Sequence, residues 1–300
     1  MALRKLVVIL NGVSRKKKRF YSEILPDLQT HFDVSVWETQ HRDHAIELAR
    51  KACDLNPFGI LAAGGDGTLN QVLNGVLNLK SQSPPIGIIP MGTGNDFARL
   101  NGINSMPGSI VEKINEGGRP TDVGLISCVS ESGEKVTRYF INVASVGMGP
   151  EVVRRLFKSN RILGPTLTYA KTSIETFFSH RPDQIEVKSD TWSWNGKVRV
   201  FAVANGKSFG GGLYVAPDSE PDDGLLSTFI AGEIPTMRFL WLLQQIKSPK
   251  KIPYKLLEYN SCKHLRISSE RKIWIETEGE LAGLLPASAE VIPQRIQFFR

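Results

Sequence analysis

Two glycine-rich segments in the first third of the chain carry the residue types that phosphate chemistry needs: Gly64-Gly65-Asp66-Gly67-Thr68 and Gly92-Thr93-Gly94-Asn95-Asp96-Phe97-Ala98-Arg99. A loop that binds phosphate must let backbone N–H groups approach the anion, so glycine recurs where a side chain would collide. Gly64, Gly65 and Gly67 supply that clearance, and Thr68 is expected to open a helix whose positive end points back at the loop. Asp66 is out of place by charge, because a carboxylate beside a triphosphate repels it unless it holds a magnesium ion or accepts a hydrogen bond or proton. The competing reading of this segment by itself is a tight turn with Asp66 as an N-terminal cap. The second segment again combines glycines with a hydroxyl (Thr93), an amide (Asn95) and an acid (Asp96).

The elements that must position these segments follow from apolar patterning. Leu6 to Leu10 is continuously apolar and β-branched, which predicts a buried strand. A helical stretch is expected around Phe20 to Phe32, a strand at Val34 to Trp37, and a helix to about Cys53 with Asp43 as its N-cap. Phe58 to Ala63 reads as a strand, Thr68 to Leu79 as a helix and Ile86 to Pro90 as a strand. Repeated βα units of this kind build a parallel sheet, and ligands bind beyond the carboxyl ends of its strands, where both glycine segments fall. After Gly117-Gly118 the crossover helices stop. Val136 to Val146, Ile185 to Lys188, Val198 to Ala204 and Leu225 to Ile230 read as strands, Asn195-Gly196 as a hairpin turn, and Thr166 to Phe178 and Pro235 to Ile246 as helices. The expected fold class is an α/β N-terminal domain over residues 1–122, with 294–300 returning to it, and a mostly antiparallel β-rich domain over 123–293.

Composition narrows the classes. With 300 residues, 41% hydrophobic and 22% charged, the chain can build a sizeable core in each domain. Its apolar runs fall well short of the roughly 20 residues of a membrane span. Arg4 and Lys5 precede an apolar run that Asn11 and Gly12 end too early for a signal peptide, so a cytoplasmic location is expected. Cys53, Cys128 and Cys262 are far apart and form no CxxC pair, which argues against a disulfide framework or a zinc site. A net charge of +7 favours an anionic partner: nucleotide, nucleic acid or acidic membrane. No nucleic-acid recognition motif accompanies that charge.

Together, Gly-Gly-Asp-Gly-Thr and Gly-Thr-Gly-Asn-Asp-Phe-Ala-Arg, in this order and spacing, resemble the diacylglycerol kinase catalytic family and its bacterial YegS-like lipid kinase branch. Sphingosine kinases and, more distantly, NAD kinases share the superfamily. The likeness continues in Gly210-Gly211-Gly212, in Pro217 to Leu226 and in Glu278-Gly279-Glu280, and so spans the chain. The resemblance implies an ATP-binding NAD kinase-like α/β domain, a β-rich lipid-substrate domain, and an active site in the cleft between them.

It also implies roles. Gly64, Gly65, Asp66, Gly67, Thr68, Leu69, Asn70, Gln71, Gly92, Thr93, Asn95 and Thr39 would line the ATP site. Asn11 is a further nucleotide contact, although the family's Asn-Pro is Asn11-Gly12 here. Asp66 and Asp96 would hold catalytic Mg2+, and Glu280 would act as the general base that takes the proton of a lipid hydroxyl; without the resemblance, an exposed turn acid is the competing reading of Glu280. Asp122, Thr93 and Arg99 would form a supporting polar network, with an Asp122–Arg99 salt bridge as the structural alternative. A second, structural Mg2+ or Ca2+ would be held by the Asp223 carboxylate and the carbonyls of Glu220 and Leu225; a β-turn at Asp223-Gly224 is the competing reading. By its charge, and apart from the resemblance, the run Arg15 to Arg19 would meet ATP phosphates or an anionic membrane, with a solvated basic helix start as the competing reading.

The expected activity is ATP-dependent phosphorylation of a diacylglycerol- or phosphatidylglycerol-like lipid. The enzyme is expected at the membrane surface, without nucleic-acid partners and with a homodimer allowed. The alternatives are a kinase of a sphingoid base or of NAD, or a non-catalytic lipid- or nucleotide-binding relative.

Overall fold

The computed structural model describes residues 3–77, 83–158 and 165–300. The chain divides into two compact units, Met1–Val123 with Pro293–Arg300, and Gly124–Ile292.

The first unit opens with β1 (Arg4–Leu10), followed by α1 (Lys17–Arg19), a π-helical turn (Phe20–Ile24), α2 (Leu25–Gln29) and β2 (Phe32–Glu38). α3 (His44–Cys53), β3 (Gly59–Gly64), α4 (Asp66–Leu77), β4 (Ile86–Pro90), α5 (Asp96–Leu100) and α6 (Ser109–Glu116) complete it. The strands lie parallel in the order β4-β3-β1-β2, and Phe298 pairs in parallel with Ile86 at the outer edge of β4. Leu6, Val8 and Leu10 join a cluster with Phe20, Ile24, Leu28, Leu61, Ile89 and Ile114. Val7 and Ile9, which alternate onto the other face, are equally buried. Burial on both faces is why these strands read as continuous apolar runs.

The helical stretch expected around Phe20 to Phe32 runs without a break from Lys17 to Gln29, with a π-helical turn at Phe20–Ile24, and ends before Phe32, which already belongs to β2. Asp43 does occupy the N-cap position of α3, but in the left-handed region at φ 61° and without a side-chain cap bond. α4 begins at Asp66, so Gly67 and Thr68 lie in its first turn; its expected end at Leu79 lies outside the described residues.

β5 (Arg119–Val129) leads into the second unit, which continues with β6 (Lys135–Phe140), β7 (Val143–Gly147), α7 (Met148–Lys158) and α8 (Pro165–Ser179). Next come β8 (Asp183–Ser189), β9 (Ser193–Val198), β10 (Val200–Ala204), the short pair β11 (Ser208–Phe209) and β12 (Leu213–Tyr214), and β13 (Leu226–Ala231). α9 (Thr236–Gln245), β14 (Leu257–Cys262), β15 (His264–Ser268), β16 (Trp274–Thr277) and β17 (Glu280–Phe298) follow. The ladder β14-β13-β10-β7-β16-β17 is antiparallel throughout. β17 also pairs with β15, which carries β8 and β9. Phe140, Phe201, Val187, Leu265 and Ile275 meet in their shared core.

Two expectations fail here. Val136 to Val146 is not one strand but β6 and β7, interrupted at Ile141-Asn142. Asn195-Gly196 is not a turn: both residues sit inside β9, opposite Glu186 and Ile185. The reversal occurs at Ser189 to Trp192 instead, where Ser189 Oγ accepts the N–H groups of Thr191 and Trp192. A Cβ on Gly196 would come within 2.8 Å of the Trp194 ring, so the glycine makes room for an indole rather than for a bend.

Candidate active site

β3 ends at Gly64 and β4 at Pro90, and these two residues are register partners. The two glycine segments therefore leave the sheet side by side at its carboxyl rim. The N–H groups of Met91 and Gly92 both donate to Gly64 O, at 2.8 and 3.2 Å. A Cβ on Gly92 would lie 2.5 Å from Gly65 Cα, and one on Gly65 would lie 3.2 Å from Gly92 Cα; glycine at both positions permits this approach. Asn95, left-handed at φ 51°, closes the second loop. Its Oδ1 accepts Gly92 N–H and its Nδ2 donates to Gly92 O, each at 2.9 Å.

Asp66 joins the two loops. Its Oδ2 accepts the backbone N–H of Asp96 at 3.1 Å and its Oδ1 that of Phe97 at 3.2 Å. Those are the opening amides of α5, which have no partner within their own helix. The carboxylate thus caps a helix, as the turn reading of the sequence anticipated, but the helix belongs to the neighbouring loop. Burial raises the Asp66 pKa above the ordinary carboxylate range; the nearby Asp96 charge adds to the rise, while the bonds from the Asp96 and Phe97 amides oppose it. Asp96 is itself buried and ion-paired with Arg99. Asp122 Oδ1 accepts the N–H of Gln294 at 2.7 Å.

The first two strands bring their own residues to this rim. Asn11 Nδ2 donates to Thr68 Oγ1 at 3.2 Å, and Gly12 N–H donates to Thr39 Oγ1 at 3.1 Å. Asn11 N–H also bonds Ala63 O, and Thr39 N–H bonds Leu10 O, which fixes both residues to strand ends. Gly64, Gly65, Asp66, Gly92, Asn95 and Asp96 are thereby tied across the two glycine loops, while Asn11 bonds Thr68 and Thr39 bonds Gly12 at the ends of the neighbouring strands. Leu69 and Asn70 are not part of the set by side chain: Leu69 is wholly buried, and Asn70 Oδ1 accepts from Asn74 Nδ2 at 3.2 Å in the interior of the unit. Gly67 and Gln71 follow on α4, and Thr93 stands exposed at the loop tip.

The basic run separates into distinct environments. Lys16 Nζ reaches Gly92 O at 3.4 Å, Lys17 pairs with Glu38, and Arg19 pairs with Glu23 at 2.9 Å. Lys16 is therefore the cation of the run that touches the glycine loops, a distinction that spacing along five consecutive basic residues could not reveal.

In the second unit, Glu280 is the first residue of β17, partly buried and paired with Thr277 across the two-residue turn Glu278-Gly279. Both turn residues have positive φ, 52° and 80°, as such a hairpin requires. Two neighbouring acids hold it in place. Glu278 Oε1 accepts the N–H groups of Ile141 at 3.1 Å and Asn142 at 2.6 Å. Glu276 Oε2 accepts Gly279 N–H at 2.7 Å while its Oε1 accepts from Ser145 Oγ. Burial pushes the Glu276 pKa up from 4.5 to about 7, against the lowering effect of those two bonds. No motif in the sequence marked Glu276 or Ser145; in a strand, alternate positions share a face, and only the packed sheet reveals which face is buried.

The donor sets suit hard divalent cations. Asp66 and Asp96 are two closely placed carboxylates, one of them raised by burial, and a cation would offset both effects. Asp223 Oδ1 accepts Leu225 N–H at 2.9 Å, the turn that the sequence also allowed, and a carboxylate combined with the Glu220 and Leu225 carbonyls is oxygen-only chemistry. The Glu220 side chain is engaged by Lys207 at 2.6 Å.

Comparison with known proteins assigns the two units. Residues 5–126 match the model of the diacylglycerol kinase catalytic domain, and residues 142–300 match that of the YegS C-terminal NAD kinase beta sandwich-like domain. This chain belongs to the diacylglycerol kinase catalytic-domain family, in its YegS-like branch. The family makes it an enzyme of the lipid kinase class. The diacylglycerol kinase of Bacillus subtilis (strain 168) is 29% identical over 293 residues, covering 95% of this chain and 92% of the relative. The diacylglycerol kinase of Staphylococcus saprophyticus subsp. saprophyticus is 29% identical over 296 residues, covering 97% and 94%. A crystal structure of a diacylglycerol kinase from Bacillus anthracis str. Sterne superposes with a TM-score of 0.73 at 19% identity, covering 100% of this chain and 97% of that one. Yeast NADH kinase complexed with NADH gives 0.50 at 13% identity, covering 99% and 83%. These structural likenesses bear on the fold, an α/β N-terminal domain with parallel strands and an antiparallel β-rich C-terminal domain.

Proposed function

We propose that this family member transfers the γ-phosphate of ATP to a hydroxyl of a diacylglycerol- or phosphatidylglycerol-like lipid. The observation that carries the reading is the bond from the Asp66 carboxylate to the Asp96 and Phe97 amides, which makes one phosphate cradle out of two glycine loops. Phosphoryl transfer needs positioning and charge neutralisation more than covalent help, and the cradle supplies the first through backbone N–H groups and the start of α4. Thr39, Thr68, Asn11 and Asn95 set the shape of the ATP site, and Lys16 supplies a positive charge for its phosphates. Asp66 and Asp96 would hold Mg2+, which when bound would supply charge neutralisation for the phosphoryl group. Glu280, fixed by its hairpin, takes the proton of the attacking hydroxyl. Asp223 with the Glu220 and Leu225 carbonyls would hold a structural Mg2+ or Ca2+. The enzyme works from the cytoplasm against an anionic membrane surface.

The test is to incubate purified protein with γ-labelled ATP, Mg2+ and a panel comprising diacylglycerol, phosphatidylglycerol, a sphingoid base and NAD. Label recovered in one of the first two supports the reading. Label in NAD or the sphingoid base moves the enzyme to another acceptor, and label in none of the four leaves a binding protein.

A further inference from the structure

We infer that α9 and the basic segment after it form a surface of the second unit that docks on anionic lipid headgroups, separate from the basic run at Arg15 to Arg19. Between Ile234 and Leu257 the chain carries Arg238, Lys247, Lys250, Lys251 and Lys255 and no acidic residue. α9 buries Phe239 and Leu242 and turns Met237 and Trp241 outward, 71% and 50% exposed. The basic segment is held against the helix. The Arg238 guanidinium stacks over the Trp241 ring at 4.1 Å and the Tyr254 ring at 5.4 Å. Ile252 and Tyr254 pack into the same apolar cluster as Phe239 and Leu242, while Lys250, Lys251 and Lys255 remain exposed. Lys251 pairs with Asp218; among the described residues no such ion pair forms at Lys247, Lys250 or Lys255.

α8 extends the surface: Phe177 stacks on Phe239 with ring centroids 5.5 Å apart, and Phe178, next in sequence, is exposed together with Ile174. Among the described residues of this unit, the exposed large hydrophobics all fall on its helices: Phe157, Leu167, Ile174, Phe178, Met237 and Trp241. None of these helices is long and apolar enough to cross a membrane.

The occupant follows from charge and side-chain type. An exposed Trp stacked by Arg238, exposed Met237 and Phe178 on the same pair of helices, and a following segment rich in exposed lysines match the boundary between headgroups and acyl chains, where aromatic rings are favoured and lysines meet anionic lipid. A second copy of the chain fits poorly, because a two-fold interface would set this positive surface against itself. A folded protein partner fits less well, since Lys is depleted from the centres of protein interfaces. The inference rests on the lipid kinase reading only for its biological sense, and binding can be measured without catalysis.

The test is co-sedimentation of the full chain with vesicles of phosphatidylcholine alone and of phosphatidylcholine with phosphatidylglycerol, in low salt. The unmodified protein should bind the mixed vesicles and not the neutral ones. The combined Lys247→Gln, Lys250→Gln, Lys255→Gln variant should lose on the order of a hundredfold in partitioning, about fivefold for each cation. Trp241→Ser should weaken binding even with every cation retained, and the melting temperature of each variant establishes that it is folded. Phosphorylation of a short-chain, detergent-dispersed lipid should survive in the triple variant, so absence of that activity in the unmodified protein counts against the kinase reading and not against this surface. Unchanged vesicle binding in both variants, or a dimer that the triple variant converts to monomer while vesicle binding persists, overturns the inference.

Discussion

The carboxylate of Asp66, at the end of the first glycine loop, accepts the backbone N–H of Asp96, in the second, at 3.1 Å. Thirty residues of sequence separate the two, and the bond ties the glycine loops that leave adjacent strand ends to each other. Removing it with Asp66→Ala should leave the amides of Asp96 and Phe97 without their acceptor, at a cost of about 1–3 kcal/mol in urea unfolding. Asp66→Asn keeps one of the two acceptor oxygens and turns an NH2 toward the other amide, so it should lose less stability than Asp66→Ala, while turnover should fall by about a hundredfold because the charge is gone. Full turnover in Asp66→Asn would remove Asp66 from the chemistry and leave it a purely structural cap.

Lys16 and Lys18 are two residues apart in one basic run, and only Lys16 reaches a glycine loop. Lys16→Gln should raise the KM for ATP roughly tenfold through loss of one charge-assisted contact. Lys18→Gln should leave it unchanged. Equal effects from the two would mean that the run acts as a diffuse field.

Glu276 provides a pH signature. Its carboxyl titrates near 4.5 when exposed and at about 7 when buried in the native protein. Between those values the native state holds a proton that the unfolded chain has released, so stability should fall as pH rises from about 4.5 to 7 and then level off. Glu276→Gln cannot titrate, and its unfolding free energy should lack that decline when urea midpoints are compared from pH 5 to 8. Parallel curves for the two proteins would show that Glu276 does not carry the titration.

How much of this could be read from the sequence depends on the range of the interaction. β1 and β4 were legible because a strand buried on both faces must be apolar at every position, as Leu6 to Leu10 and Ile86 to Pro90 are. The glycine loops were legible because close backbone approach leaves no room for a Cβ. Asn195-Gly196 misled, because the same dipeptide that favours a turn also makes space for Trp194 across its own strand. α7 has no counterpart among the expected elements, although Gly149 and Pro150 fall in its first turn, where Pro is well suited. The bond from Asp66 to a neighbouring helix, the choice of Lys16 within its run, and the burial of Glu276 are tertiary facts with no local pattern. Sequence nominated the site's residues without showing which of them hold the others in place.

Glu280 offers the most direct measurement. Lipid-dependent ATP turnover and ATP affinity should be determined together for the unmodified enzyme and Glu280→Gln, a change that removes the proton acceptor and keeps the shape of the side chain. The account predicts a loss of about 10²–10⁴ in kcat with ATP affinity unchanged. Turnover by Glu280→Gln equal to that of the unmodified enzyme would contradict it.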